Sequence, residues 1–175
     1  MKKIDRFHIV ERISEGGAAV VYKAEEQLPG GLTRPVALKV FPALASNDKV
    51  GETRFLREIR PLLSFSGHPH IVCFYGAAVT DGTPWIAMEY AETTLADSLG
   101  DLPGSPEDVQ TVLEHVGFAL STMHAKEPPV LHNDLKPANI LICNGPSYKL
   151  ADFGVAGKQG EERTRVVTTV RYAAP

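Results

Sequence analysis

The chain has 175 residues, of which 43% are apolar and 22% charged, and its formal net charge is -3. That length suits one domain of ordinary size or two very small ones, and the balance excludes disorder, collagen and coiled coil. With 18 Lys and Arg against 21 Asp and Glu there is no basic excess, so nucleic acid is not an expected partner. Cys73 and Cys143 are too few for a disulfide scaffold or a zinc site, which points to a reduced, cytoplasmic setting. The charged start at residues 1–6 has no apolar run behind it, and no stretch is long and apolar enough to span a bilayer. Neither secretion nor a membrane segment is expected of this chain.

In chain order, residues 7–14 and 20–26 predict two strands around the tip Glu15-Gly16-Gly17-Ala18-Ala19, and the β-branched run at 35–41 predicts a third. A helix follows, with Phe55, Ile59, Leu62 and Leu63 as its apolar stripe and Arg54, Arg57, Glu58 and Arg60 around it. Pro61 lies inside that stripe, lacks an N–H and crowds the carbonyl of Arg57, so a kink is expected there. Residues 73–79 and 84–90 predict a second hairpin around Asp81-Gly82. Beyond residue 91 the character changes. Ser105-Pro106-Glu107-Asp108 reads as a capped helix start, and Val109, Val112, Leu113, Val116, Leu120 and Met123 predict one buried face, stopped by Pro128-Pro129. Short strands are expected at 140–143 and 148–152, joined by Asn144-Gly145-Pro146. A β-rich half and a helical half meeting at 89–92 make an α+β chain of two lobes.

Four segments carry chemistry. Gly16 and Gly17 leave backbone N–H groups open and Ala18 and Ala19 are small, which suits a phosphate cover or a plain turn. Lys39, in Val36-Ala37-Leu38-Lys39, is an edge charge or a buried cation that needs an acid, and Glu58 is the candidate acid or a solvated helix charge. The segment His132-Asn133-Asp134-Leu135-Lys136-Pro137-Ala138-Asn139 packs acid, cation and amide between apolar flanks. Asp134 can accept a proton from a hydroxyl, Lys136 can neutralise a phosphoryl group, and Asn139 offers an amide oxygen suited to Mg2+. Asp152-Phe153-Gly154 adds a second hard oxygen donor at a strand end.

The order of these elements, closed by Thr169-x-x-Tyr172-x-Ala174-Pro175, resembles the eukaryotic-type protein kinase domain of the Ser/Thr class from about residue 7 to the last residue. The resemblance implies a bilobal kinase-like fold. Its N-lobe, with one helix, would cover 1–88, its hinge 89–92, and an incomplete helical C-lobe 93–175. It implies ATP and Mg2+ as cofactors and a protein with Ser or Thr as substrate. By similarity Lys39 meets the α- and β-phosphates and pairs with Glu58, Asp134 is the catalytic base, Lys136 steadies the γ-phosphoryl group, and Asn139 with Asp152 holds Mg2+. Thr169 would hydrogen-bond around Asp134 and Lys136. Ile13, Ser14, Glu15, Gly16, Gly17, Ala18, Ala19 and Val20 would form the loop over ATP. Val21, Ala37 and Leu141 would sandwich the purine, and plain burial is expected of each. Met88 resembles the gatekeeper, and Glu89, Tyr90 and Ala91 the hinge that meets adenine. Leu62, Phe74, His132 and Phe153 would stack as an apolar spine, which makes His132 structural.

Four departures stand out. The glycine loop is Ser14-Glu15-Gly16-Gly17-Ala18-Ala19, which implies a weaker phosphate lid. Asn133 replaces the usual arginine before the base, so activity is expected to depend little on phosphorylation of Thr164 or Thr168. Pro61 would tilt the helix bearing Glu58. The sequence stops at Pro175, and the expectation is a fragment of a longer protein, with the apolar face of the 109–123 helix partly uncovered. The alternative function is a weak or inactive pseudokinase that binds nucleotide as a scaffold. His68-x-His70 reads as a pair of loop histidines rather than a metal site.

Overall fold

The computed structural model of the chain describes residues 2–15, 19–44, 48–98, 105–143, 145, 147–153 and 157–158. It divides into two compact units, Met1–Ile59 with Cys73–Tyr90, and Arg60–Val72 with Ala91–Pro175.

The first unit is an antiparallel sheet of six strands: β1 (Lys3–Ile4), β2 (Phe7–Glu15), β3 (Val20–Gln27), β4 (Thr33–Val40), β5 (Phe74–Thr80) and β6 (Thr83–Glu89), in the order β1-β2-β3-β4-β6-β5. Strand alternation sends Val36 and Leu38 of β4 to one face, where they join Phe7, Ala24, Trp85 and Ala87 in a core that excludes water. Phe7 meets the edge of Trp85 with ring centroids 4.9 Å apart. The hairpin between β5 and β6 turns on Asp81 and Gly82 alone, with φ of 48° and 74°. Both residues are left-handed, which is why an Asp-Gly pair stands there.

Glu26 faces inward at 2% exposure. Two guanidiniums reach its carboxylate, Arg6 Nε donating to Oε1 at 2.7 Å and Arg34 Nε to Oε2 at 2.6 Å. Both cations also lie over aromatic rings, Arg6 over Phe7 at 4.8 Å and Arg34 over Tyr75 at 3.6 Å. Burial by itself would raise the Glu26 pKa, but the hydrogen bonds and charges of Arg6 and Arg34 outweigh it and hold the carboxyl below the usual range.

Helix α1 (Lys49–Ser64) begins with Asp48 Oδ1 accepting from Gly51 N–H at 2.9 Å. Phe55, Glu58, Pro61 and Leu62 are buried and Ile59 is half-buried, whereas Leu63, placed in the stripe by its sequence spacing, is 55% exposed. The expected kink does not interrupt the helix, which runs on through Pro61 to Ser64. Pro61 falls in the last turn, so its missing N–H removes one bond near an end that frays anyway.

The second unit holds β7 (Thr93–Thr94), α2 (Leu95–Ser98), α3 (Pro106–His124), β8 (Val130–Leu131), β9 (Ile140–Cys143), β10 (Ser147–Leu150) and β11 (Gly157–Lys158). Strands β10, β9 and β7 form one small sheet, and β11 pairs with β8. The start of α3 is the expected one: Ser105 Oγ accepts from Asp108 N–H at 3.1 Å and Asp108 Oδ2 accepts from Ser105 N–H at 3.0 Å. Its buried face is narrower than the six-residue stripe. Val116, Ala119 and Met123 are buried and Val112 and Leu120 half-buried, but Val109 is 53% and Leu113 67% exposed. The strand expected at 148–152 ends at Leu150, and β1, β7, β8, β11 and α2 had no periodic signal because each is four residues or shorter. Among the described residues no helix is long and apolar enough to cross a membrane. The α+β class expected from the sequence is the class observed.

Glu26→Gln leaves two guanidiniums facing a neutral amide and should cost about 2 kcal/mol in urea denaturation at pH 7. Because the folded pKa of Glu26 is depressed, its stabilisation is complete above the unfolded value of about 4.5 and fades as pH falls through the folded value. The difference between the two proteins should therefore shrink in acid.

Candidate active site

The register of the large sheet sorts the sequence-predicted residues by face. Val21 pairs with Lys39, and Lys39 with Ile86. In the next row Lys23 pairs with Ala37, Ala37 with Met88, and Met88 with Phe74. Directly opposed residues point the same way, so Val21, Ala37, Lys39, Phe74 and Met88 share the face opposite the Val36–Leu38 core. Lys39 is 9% exposed, and its Nζ lies 2.5 Å from Oε2 of Glu58, itself 7% exposed. The two positions left open between solvated and paired are therefore paired. Phe41 and Phe55, with ring centroids 5.4 Å apart, stand beside the ammonium, Phe41 at 5.9 Å from Nζ. Sequence reading missed this aromatic pair, although Phe41 lies two residues after Lys39 and Phe55 three before Glu58. Burial was expected of Val21, Ala37 and Leu141, and each is only half-buried.

Glu89 closes β6, its carboxylate accepting from Cys73 N–H at 3.1 Å while its own N–H donates to Cys73 O at 2.9 Å. Tyr90 lies under Lys23 Nζ at 4.7 Å. On β2, Ile13 is 49% exposed, Ser14 and Glu15 are exposed, and Arg12 pairs with Glu15. Ala19 is buried and Val20 half-buried. Gly16, Gly17, Ala18, Thr164, Thr168 and Thr169 lie outside the described residues.

In the second unit the chain leaves β8 through His132, turns at Asn133 with φ of 63°, passes Asp134 and Lys136, and makes a short 3-10 turn over Pro137–Asn139 into β9. Asn is among the few residues that take a left-handed backbone cheaply. Its amide also donates to Leu131 O at 3.3 Å. Asp134 is the hub. Lys136 Nζ donates to Asp134 Oδ2 at 2.8 Å, and Asn139 Nδ2 donates to the same oxygen at 3.1 Å and to the backbone carbonyl of Asp134 at 2.8 Å. Asn139 is 6% exposed, and with Nδ2 engaged its Oδ1 is the atom left to accept.

Backbone bonds carry Asp152 to the same place. Ala151 N–H donates to Asn139 O at 2.9 Å, and His132 Nε2–H donates to Ala151 O at 3.0 Å. Asp152 follows, exposed and left-handed at φ 61°, an unusual backbone for a non-glycine residue. The His132 ring lies 5.2 Å from that of Phe153, both buried. Burial holds the His132 pKa below the ordinary range against the pull of Ala151 O, Asp152 and Asp134, so the ring is neutral. A neutral, buried histidine bonded to backbone is the structural role expected of it. Leu62 is buried in this unit as well. Two hard oxygen donors, Asn139 Oδ1 and the Asp152 carboxylate, suit Mg2+, which takes few protein ligands and completes its shell with phosphate and water. His68 and His70 hydrogen-bond Thr122 and Tyr148, and no metal-binding group of three occurs among the described residues.

Residues 7–175 match the family described as Protein kinase domain. Over 184 aligned residues the chain is 39% identical to Serine/threonine-protein kinase PknF of Mycobacterium tuberculosis, covering 97% of this chain and 37% of that protein. It is 35% identical to Serine/threonine-protein kinase PrkC of Bacillus subtilis, covering 97% of this chain and 26% of that one. With Serine/threonine-protein kinase 36 of Mus musculus the identity is 33%, over 96% of this chain and 12% of the other. The chain thus spans little more than a third of the first relative's length and less of the others.

Asn139→Asp sets a second carboxylate against Asp134 Oδ2 in place of a donor. Two like charges at that distance raise one pKa, so the variant should lose about 2 kcal/mol at pH 7 and regain most of it near pH 4.5, where the pair shares a proton. Urea denaturation at the two pH values reads the difference.

Proposed function

Because the chain belongs to the protein kinase family, we propose that it transfers the γ-phosphoryl group of ATP to a Ser or Thr hydroxyl of a protein. The observation that carries the reading is the Asp134 cluster: one carboxylate oxygen takes both Lys136 and Asn139, which fixes the orientation of the carboxyl group. An acid held that way can orient an incoming hydroxyl and accept its proton as the new P–O bond forms.

The remaining roles are those that the resemblance to protein kinases implies for each group. Lys39, held by Glu58, presents an ammonium to the α- and β-phosphates. Lys136 neutralises charge on the transferring group, and Thr169 supports Asp134 and Lys136. Mg2+, when bound, neutralises the phosphate oxygens. Asn139 Oδ1 and the Asp152 carboxylate are the groups that hold it. Val21, Ala37, Leu141 and Met88 bound the adenine, Glu89 and Ala91 give it backbone hydrogen bonds, and the loop from Ile13 to Val20 covers the phosphates. Lys136 two residues after Asp134, together with the similarity to Ser/Thr kinases, supports Ser/Thr over Tyr as acceptor. The reading supports a cytoplasmic reaction, carried out by this chain or by a longer protein of which it is the cytosolic part. Such a site works by position and charge rather than covalent chemistry.

Phosphotransfer from ATP to a generic Ser/Thr protein, measured with and without Asp134→Asn, tests the proposal. The variant should lose about a thousandfold in rate and still be stabilised by ATP against heat. No transfer by either protein, with stabilisation by ATP in both, would favour the scaffold reading instead. Asn133 offers no cation to a phosphorylated loop. Alanine at both Thr164 and Thr168 should accordingly leave the rate within about twofold, and a large drop would count against that account of Asn133.

A further inference from the structure

Three histidines meet where the turn after α1 lies against α3 and β10, and the mechanism above uses none of them. His70 stacks on His115 with ring centroids 3.9 Å apart and planes 17° from parallel, and His68 lies 6.1 Å from His70. Phe118 of α3 packs on the His68 ring at 4.8 Å, and the Tyr148 ring is 6.0 Å from that of His115.

Backbone groups dictate where each ring carries its proton. His70 N–H donates to His68 Nδ1 at 3.1 Å, so that nitrogen is bare and the proton is on Nε2. His68 Nε2–H then points to Thr122 Oγ1 at 3.2 Å, and the Thr122 hydroxyl donates onward to Phe118 O at 3.0 Å. Tyr148 N–H donates to His115 Nδ1 at 3.3 Å, so His115 is also bare at Nδ1. His70 is the opposite tautomer, because its Nδ1 faces Tyr148 O at 3.1 Å and must donate. The bonds accepted by His68 Nδ1 and by His115 Nδ1 require a neutral His68 and a neutral His115. His70 alone can take a second proton, on Nε2, without losing a backbone bond.

We propose that His68, His70 and His115 form a proton-sensitive latch that holds the turn of residues 65–70 onto α3 and β10 only while His68 and His115 are neutral. A proton on Nδ1 of either ring sets two donors face to face and breaks the bond to His70 N–H or Tyr148 N–H. Charge on His70 opposes that step through the stacked ring. The other groups facing the junction are few. Glu114, beside His115 on α3, favours its charged form, and Lys126 lies over Phe65 of the turn at 5.6 Å. Lys149 of β10 alternates away from the side Tyr148 takes. Burial first and His70 second hold both His68 and His115 below the ordinary histidine value. A depressed folded value means the latch is fully closed above about pH 6.5 and is lost as pH falls through the lower values. The turn it holds continues directly from α1, the helix that carries Glu58.

Nitrogen-15 NMR of the chain with amide exchange tests the latch. At pH 8, His68 and His115 should be protonated on Nε2 and His70 on Nδ1. On acidification His68 and His115 should titrate below about 6.5, and protection of the His70 and Tyr148 amides should fall about tenfold in the same step. Core amides of β3, β4 and β6 should keep theirs. His115→Phe keeps a ring against His70 without an acceptor, so Tyr148 protection should be low and independent of pH. An Nδ1-protonated His68 or His115, titration at or above about 6.5, amides that ignore the titration, or a loss spread equally to β3, β4 and β6 would overturn it.

Discussion

Lys39 and Glu58 lie 2.5 Å apart with 9% and 7% exposure, and neither could be held there alone. An ammonium or carboxylate taken from water loses several kcal/mol of hydration, which only a partner at contact distance restores. The pairing therefore ties β4 to α1 through two side chains that sequence separates by nineteen positions. It also leaves a cation beside the apolar Val21, Ala37, Phe74 and Met88 on one sheet face, with Lys23 in the next row. A charge so placed has a longer reach than one on the surface, because less water screens it.

The same rule recurs at Glu26 and at Asp134, with different consequences. Glu26 is more buried than Glu58 and has two guanidiniums, each stacked on an aromatic ring, so its charge is fully used inside the unit. Asp134 has a cation and an amide on one oxygen and keeps a partly exposed carboxyl. The first arrangement ties β3 to β4 and to the turn between β1 and β2, and the second leaves an acid oriented yet reachable. Burial separates the two, since Glu26 is 2% exposed and Asp134 only half-buried.

Turn and cap chemistry was legible in the sequence wherever one or two residues decide the backbone. Asp81-Gly82 makes a two-residue turn and Ser105 with Asp108 makes a capping box because those side chains act locally. Faces were less legible. The stripe from Val109 to Met123 is real, yet only its C-terminal half is buried, since periodicity says which residues share a side and nothing about what covers it. Leu63 failed for a related reason: it neighbours Leu62 in sequence but sits about 100° round the helix. Lys39 and Glu58 were each ambiguous singly, and the ordered set of motifs resolved them. The Arg6–Glu26–Arg34 cluster carried no signal, because nothing local distinguishes Glu26 from Glu25.

His68 and His70 show how far residue type can mislead without tautomers. Two histidines one residue apart suggest a metal, and a third on a neighbouring helix strengthens the suggestion. Metal ligation, however, needs bare nitrogens aimed at one point. Here His68 Nδ1 and His115 Nδ1, both bare, each face a backbone N–H, and His70 Nδ1 carries a proton toward a carbonyl, which leaves the lone pair of His70 on Nε2. Two of the three lone pairs are spent on backbone N–H groups, one of the turn and one of β10. What imidazole contributes at this junction is the ability to be donor at one nitrogen and acceptor at the other, and that property exists only in the neutral ring.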